Sequence, residues 1–501
     1  MVDPFLVIVV IVMMIVMFIM NVYLVVHYSH PLESKFWGAI VWKILMVFAL
    51  LIIEWEILTL PLDVSNTHQN GNLDMKGFWY TVTMTSWCLL FLLLPLAYFF
   101  YETEGDQLKS RICQTTWMMS SFIIIWVLIV FLTYPFMNKS DIPIDSVDWN
   151  MSLTVNNGVL LSYSSTSTSD SCSLSSTTFK TDISFAVYMI GLLSFIGWWI
   201  FVFFLGVGLV AIPMDLINEF RNRPVRIEQG EFNRRRTKLL QHVTKLRKDG
   251  KQLESVKETV EKSKGIKGWK NKKVFNRDLN KHEIQWMIAE REFLLLEKIT
   301  KISKLEPCLY VLKLLIGIFF ILWSIVWLIH IILWVIAKSA SDYIHPFLNG
   351  LLEGIRQINV DFISATIFAL LAIYLLFATI KGNVKFGLRF FWITFYPLRP
   401  NETFVSSFVF NVWLIQLWTF SLLQFLVRNF SMFARNTDAF KIFQIQVRYA
   451  WFFKWFWTSE FFSWFLLFWT CIAFIYLMCK PAERLSLDSK MRNTDVEENK
   501  K

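Results

Sequence analysis

Charge is scarce in this 501-residue sequence: Asp, Glu, Lys and Arg make up 18% of it, against about 25% in a soluble globular protein. Apolar residues take their place, at 55% of the chain with a mean hydropathy of +0.47. They are gathered in runs long enough to cross about 30 Å of hydrocarbon at 1.5 Å per residue. A water-soluble enzyme, a disordered chain, a collagen-like chain and a secreted disulfide scaffold are all excluded. Cysteine is rare as well. Of six, Cys88, Cys308, Cys471 and Cys479 fall in or beside apolar runs, Cys113 sits at the edge of one, and Cys172 alone lies in a polar loop. That distribution builds no disulfide framework. Catalytic signatures are missing too: there is no Walker loop, dinucleotide glycine fingerprint, HExxH or GxSxG. His27 and His30 have neither a carboxylate nor a cysteine cluster beside them. No catalytic residue, cofactor or metal site is expected, and neither is enzymatic activity. The first apolar run lacks a basic n-region and is too long for a signal-peptide core, so it reads as a retained span.

What is present is a polytopic membrane protein, all-α, with about nine transmembrane helices at 5–26, 37–59, 78–101, 112–134, 184–212, 308–336, 361–380, 405–427 and 461–479. An odd number of crossings puts the termini on opposite sides. With the N-terminus outside (lumenal or extracellular) and the C-terminus cytosolic, the inner segments carry 37 Lys and Arg and the outer segments 10, the asymmetry that sets orientation. Segment 428–460, with five basic residues, argues the other way. The sequons at Asn138 and Asn150 fall in the outer loop and are glycosylation candidates.

The chain divides into helices 1–4 (1–134), an outer loop (135–182), helix 5 (183–212), an insertion (213–306), helices 6–9 with interfacial aromatic segments (307–480) and a polar tail (481–501). The outer loop is rich in Ser and Thr and carries five Asp against two Lys. It has too few apolar residues for a core and is expected to be solvated and mostly irregular. A glycosylated spacer and a ligand-capturing loop both fit it. The insertion holds 24 Lys and Arg against 14 Asp and Glu. Leu239, Val243, Leu246, Leu253 and Val260 form a heptad seam. After a Gly- and Lys-rich break, Ile284, Ile288, Leu295, Ile299 and Ile302 form a second stripe. Two such arms make a cytosolic antiparallel hairpin, a short coiled coil projecting roughly 40 Å. Its basic surface suits anionic inner-leaflet lipid or a docked partner; without an aromatic stacking platform it does not suit nucleic acid.

Lys381, Lys385 and Arg389 recur every four residues beside Phe386, Phe390, Phe391 and Trp392, which predicts a basic stripe lying on the inner leaflet. Tyr449–Trp457 packs seven aromatics into nine residues, a second interfacial stretch. Ionisable residues inside spans are costly and line cavities or sit near an interface. Glu54 and Glu56 fall in the outer third of the second span. Diverging by about 200° around a helix, they cannot pair, and one is expected to face the bundle while the other snorkels. His330 lies in the outer part of the sixth span. Glu54 and His330 are the candidates for a polar substrate pathway, with structural hydrogen bonding as the other reading. Asp63 and Asp215 are placed at the ends of spans two and five, as helix caps. Gly206 and Gly208 read as a close helix crossing.

Five features together resemble one family: Leu58–Val64 leaving the second span, Leu94–Glu102 leaving the third, Gly206–Ile217 closing the fifth, the basic hairpin, and Phe390–Tyr396 before the eighth. The set is similar to the limb-region / lipocalin-interacting membrane receptor family, and most similar to its lysosomal cobalamin transporter branch. The resemblance implies nine spans, an outer N-terminus and a cytosolic hairpin. It further implies support for the transport of cobalamin, or a similar small polar cofactor, across an endomembrane together with an ATP-driven transporter. Other members of the family resemble endocytic receptors or signalling adaptors, so the alternative is a non-transporting receptor that takes ligand on its outer loops and partners, such as an endocytic adaptor, on the hairpin. The membrane implied is lysosomal, endosomal or plasma.

Overall fold

The computed structural model describes residues 4–29, 37–69, 71, 73–103, 108–148, 152–156, 159–164, 173–221, 223, 229–262, 275, 279, 282, 285–290, 293, 306–337, 343–358, 360–386, 388–390, 393–395, 398 and 403–479. Among them, nine helices are long and apolar enough to cross a membrane: α1 (Pro4–Tyr28), α2 (Trp37–His68), α3 (Met75–Glu102), α4 (Leu108–Met137), α5 (Phe185–Arg221), α7 (Glu306–Ile336), α9 (Asp361–Phe386), α10 (Val405–Asn429) and α11 (Phe461–Cys479). Outside the nine are α6 (Gln229–Lys262) and the short α8 (Phe347–Gln357). Each span coincides with an apolar run read from the sequence. In lipid every backbone group must be satisfied within its own segment, and a helix does this.

Two ends differ from expectation. α2 does not stop near residue 59: it passes through Pro61 and runs on to His68. Pro61 removes one helical hydrogen bond, but Asp63 and Asn66, buried beyond it, make tertiary bonds that hold the last two turns in place. Glu54 and Glu56 therefore lie at the middle of the span, not in its outer third. α5 likewise continues past Pro213 to Arg221, so Asp215 is an interior helical residue and not a terminal cap.

The chain forms two compact units, Met1–Ile212 with Ile321–Lys501, and Pro213–Phe320. In the first, α10 is the axis. Of its most apolar window 83% is buried, against 17% for α1 and 11% for α4, which present Ile, Val and Phe outward. α10 packs on α2, α3 and α9, and α2 packs on α1 and α9. With lipid as apolar as leucine, contact between spans depends on close backbone approach. Glycines provide it where α5 crosses α9. A Cβ on Gly208 would sit 1.7 Å from the Ala378 carbonyl oxygen, and one on Gly382 would sit 1.9 Å from that of Phe204. A Cβ on Gly206 would meet the Trp469 ring at 2.9 Å. The glycine pair is a packing device, as its placement in an apolar run suggested.

The described residues of the loop 135–182 are not irregular. β1 (Lys139–Asp148) and β4 (Ser173–Asp182) form a ten-residue antiparallel ribbon in register Lys139↔Asp182 through Asp148↔Ser173, and β2 (Ser152–Asn156) pairs with β3 (Val159–Ser164). α4 and α5 bring the two ends of the loop together, and its threonines, Ile142, Ile144 and Phe179 suit a strand. The base of the ribbon is tied to the later chain: Asp141 N donates to Tyr449 O at 3.0 Å, and Trp451 N to Lys139 O at 2.9 Å.

The stretch Tyr449–Trp457 is a series of turns with a short helix at Lys454–Thr458. Phe453 and Trp457 are buried, whereas Trp451 and Trp455 face outward. Phe195 of α5 packs against Phe453 and Phe456 at 5.2 and 5.0 Å between ring centroids. Beside them Glu460, held at φ 53°, pairs with both Arg428 and Arg448.

In the second unit, Leu239, Val243 and Leu246 of α6 pack with Ala289, and the His282 ring nitrogen meets the Leu246 carbonyl at 2.8 Å. Lys313 and Glu219 form an ion pair at 2.6 Å. Ile284, Leu295, Ile299 and Ile302 of the second stripe, the break at 263–274 and the tail 480–501 lie outside the described residues.

An intramembrane cavity at Glu54

Glu54 opens onto a partly open cavity of about 340 Å³ lined by α1, α2, α9 and α10 and by Ile212 of α5. Its walls are mainly apolar: Met20 and Leu24 from α1, Leu50 and Ile53 from α2, Leu376 and Phe377 from α9, and Phe408 and Ile415 from α10. Polar groups reach it at few points. Asn21 Nδ2 donates to Glu54 Oε2 at 3.0 Å, and both residues are buried. Tyr28, Asn411 and the half-buried Lys381 complete the polar lining. Apolar walls with a few placed polar groups are the usual make-up of a small-molecule site. A carboxylate at the midpoint of a spanning helix, with a lysine on the same lining, can hold an amphiphile that carries a cationic or zwitterionic group.

Glu56 does not snorkel. It is buried on the other side of α2, where its Oε2 accepts from Ser86 Oγ of α3 at 2.8 Å and from Gln416 Nε2 of α10 at 3.3 Å. With 1% of its surface exposed, the side chain does not reach solvent.

His330 is not among the residues lining the Glu54 cavity. Its ring is fully buried against Phe430 (5.3 Å) and Trp327 (6.0 Å), and its Nε2 faces the Asn429 carbonyl at 3.1 Å. Asn349 Nδ2 donates to the same oxygen at 2.7 Å. A carbonyl can only accept, so Nε2 carries the hydrogen. His330 and Asn349 together satisfy an end carbonyl of α10, a group that helix geometry leaves without a partner. Asp63 plays the corresponding part at another helix start. Its Oδ2 accepts from Trp79 Nε1 at 2.8 Å and from Ala439 N at 3.0 Å, in the first turn of the helical segment beginning at Asp438. It caps a helix, but not its own.

Lys381 and Lys385 lie in the last turns of α9, which ends at Phe386. Arg389 is in β5 (Leu388–Phe390), which pairs with β6 (Ile393–Phe395). The four-residue helical spacing of the basic stripe therefore ends at Lys385, because the chain turns into a hairpin. Asn138 follows α4 directly, half-buried, with its Oδ1 enclosed and its backbone oxygen accepting from Ile183 N at 2.8 Å. Asn150 lies outside the described residues. His27 stacks on Tyr23 at 5.3 Å, and His30 is outside the described residues. Among those residues no group of three or more His, Cys, Asp and Glu side chains could hold a metal ion.

A family model for LMBR1-like membrane proteins matches residues 6–283, more than half of the chain. The chain belongs to this family. LIMR family proteins resemble it along most of its length. One from Dictyostelium discoideum is 28% identical over 97% of this chain and 99% of its own, and one from Arabidopsis thaliana is 30% identical over 87% and 88%. A probable lysosomal cobalamin transporter of Nematostella vectensis is 20% identical over 68% of this chain and 60% of its own. No solved structure matches it significantly. In this LMBR1-like protein the cavity lined by α1, α2, α9 and α10 is the candidate site, because a buried intramembrane carboxyl group faces it. Its lining residues Asn21, Asn411 and Lys381 lie far apart in the sequence, and only the intramembrane charge of Glu54 signalled it.

Proposed function

We infer that this LIMR family protein holds a small amphiphilic molecule in the Glu54 cavity and supports its transport across an endomembrane. The observation that carries this reading is a buried carboxylate, halfway along a spanning helix, facing an apolar cavity. Transporters place their substrate sites at this depth. The chain has no nucleotide-binding motif, so the driving force comes from an ion gradient or from a separate ATP-driven partner. Cobalamin export is the finer reading, supported by what the sea anemone relative is named for. A corrinoid is far larger than a drug-sized ligand, and 340 Å³ is at the low end of the ~300–1,000 Å³ such ligands occupy. Cobalamin would therefore need α1 to part from α9, or a pathway shared with the partner. Lysosomal or endosomal residence belongs to this same reading.

Purified protein in liposomes tests it with two probes, a fluorescent fatty amine and radiolabelled cobalamin. The amine is expected to bind, and Glu54→Gln to weaken it at least tenfold. Amine binding unaffected by that change, with no flux of either probe, would defeat the reading. In its favour, the receptor or adaptor alternative has the exposed Leu240, Trp286, Met287 and Phe293 in the second unit, apolar side chains on a basic helical segment. For that alternative, deleting 230–300 would abolish partner recovery while flux stays absent.

A further inference from the structure

Glu56 plays no part in the cavity, yet it is the more deeply buried of the two carboxyls. An ionised carboxylate in hydrocarbon is tolerated only when paired or otherwise neutralised. The groups facing Glu56 supply no charge. From α3 comes Ser86 and from α10 Gln416, neither of which titrates. The charged residues of α3 are Lys76, in its first turn, and Glu102, at its last position; Cys88 is exposed; and α10 has no charged residue before Arg428. On α2 itself Glu54 points about 200° away. Two oxygens in this contact have no hydrogen-bond donor, Glu56 Oε1 and Gln416 Oε1. A buried acceptor without a donor costs about 1–3 kcal/mol, and here two such acceptors sit on side chains already touching. The group lacks one hydrogen. A proton on Glu56 Oε1 supplies it: with Gln416 Nε2 still donating to Oε2, the Oε1 hydroxyl can donate to Gln416 Oε1, the cyclic pairing of a carboxylic acid with a primary amide, and both orphaned oxygens are then accounted for.

The surroundings connect this proton to the cavity. α3 contains a π-helical turn at Leu89–Leu93, a form that recurs at functional sites, and Trp413 Nε1 of α10 donates to its Leu90 carbonyl at 2.8 Å. Gln416 lies three residues beyond Trp413, and its neighbour Ile415 lines the Glu54 cavity. One helix face thus touches Glu56 and the π-turn, and the next residue round touches the cavity. We propose that Glu56, with Ser86 and Gln416, is a proton-binding site whose deprotonation loosens the α3–α10 contact beside the Glu54 cavity. On the transport reading, which this step rests on, the site lets a proton gradient drive cavity opening.

Infrared difference spectroscopy on the full-length protein in bilayers reads the proton directly. A carboxylic-acid C=O band is expected at neutral pH, absent from Glu56→Gln and shifted, not lost, in Gln416→Leu. Hydrogen–deuterium exchange, corrected for intrinsic chemistry, reads the contact. Peptides covering residues 86–94 are expected to exchange several-fold faster at alkaline than at neutral pH in the native protein, and to show no such rise in Glu56→Gln. A spectrum in which Glu56→Gln removes only ionised carboxylate intensity overturns the site. Exchange that rises equally in both proteins overturns the coupling. Neither readout uses flux or a ligand, so a failed transport assay leaves both results interpretable.

Discussion

Asp63 shows how much one side chain can carry in a bundle with few polar groups. Its Oδ2 joins α2 to Trp79 of α3 and to the backbone of Ala439. A buried donor left without its acceptor costs about 1–3 kcal/mol. Asp63→Ala should therefore destabilise the detergent-purified protein by about 3 kcal/mol in thermal unfolding, and Asp63→Asn, which keeps an acceptor oxygen, by less than half of that. His330→Ala should cost about 2–4 kcal/mol, because it combines a lost carbonyl partner with a cavity between Phe430 and Trp327. It should leave amine binding at the Glu54 cavity unchanged, a result that would separate a structural histidine from a pathway one. Glu54, Glu56 and His330 were equally visible in the sequence as ionisable groups within apolar runs. What the sequence does not carry is which of them meets a cavity, because that is decided by partners such as Gln416, 360 positions from Glu56, and Asn429, 99 from His330.

The nine helical segments were legible because hydrocarbon leaves a polypeptide almost no other backbone solution. Their ends were less so. Proline is an end signal in water, but Pro61 and Pro213 lie within continuous helices here, and the turns beyond Pro61 are held by Asp63 and Asn66. The ribbon in the outer loop was illegible for a related reason: composition reports a lack of core, whereas strands anchored at both ends by α4 and α5 need little of one. Glycine positions give the sharpest test at this scale. Gly208→Val or Gly382→Val puts a side chain where a backbone carbonyl of the crossing helix stands, at 1.7 and 1.9 Å from Cβ, and should abolish folded protein, seen as loss of the monodisperse peak in size-exclusion chromatography. Gly354→Ala is the control. Nothing lies within 4 Å of its Cβ position in α8, and the exchange should stabilise by about 0.5–1 kcal/mol.

For the whole molecule the open quantity is sidedness, and segment 428–460 is its instructive part, since its five basic residues oppose the charge asymmetry of the rest. Three of the five are ion-paired within the first unit: Arg428 and Arg448 with Glu460, and Lys441 with Asp438 at 2.9 Å. A folded ion pair offers little net charge to the membrane potential or to anionic lipid, so these residues weigh less in the asymmetry than their number suggests. With an N-terminus on the outer side, the ribbon of β1 and β4 would lie outside as well. Glycosylation reads this directly. Asn138 is clasped between the end of α4 and the base of the ribbon, with its side-chain oxygen enclosed, whereas Asn150 lies beyond the ten paired residues of β1. In cells, peptide N-glycosidase should shift the mobility of the native chain, Asn150→Gln should remove that shift, and Asn138→Gln should leave it. A shift removed instead by Asn401→Gln, in the sequon Asn401-Glu402-Thr403, would place the connection between α9 and α10 outside, inverting every crossing and the sidedness of the basic insertion 213–306.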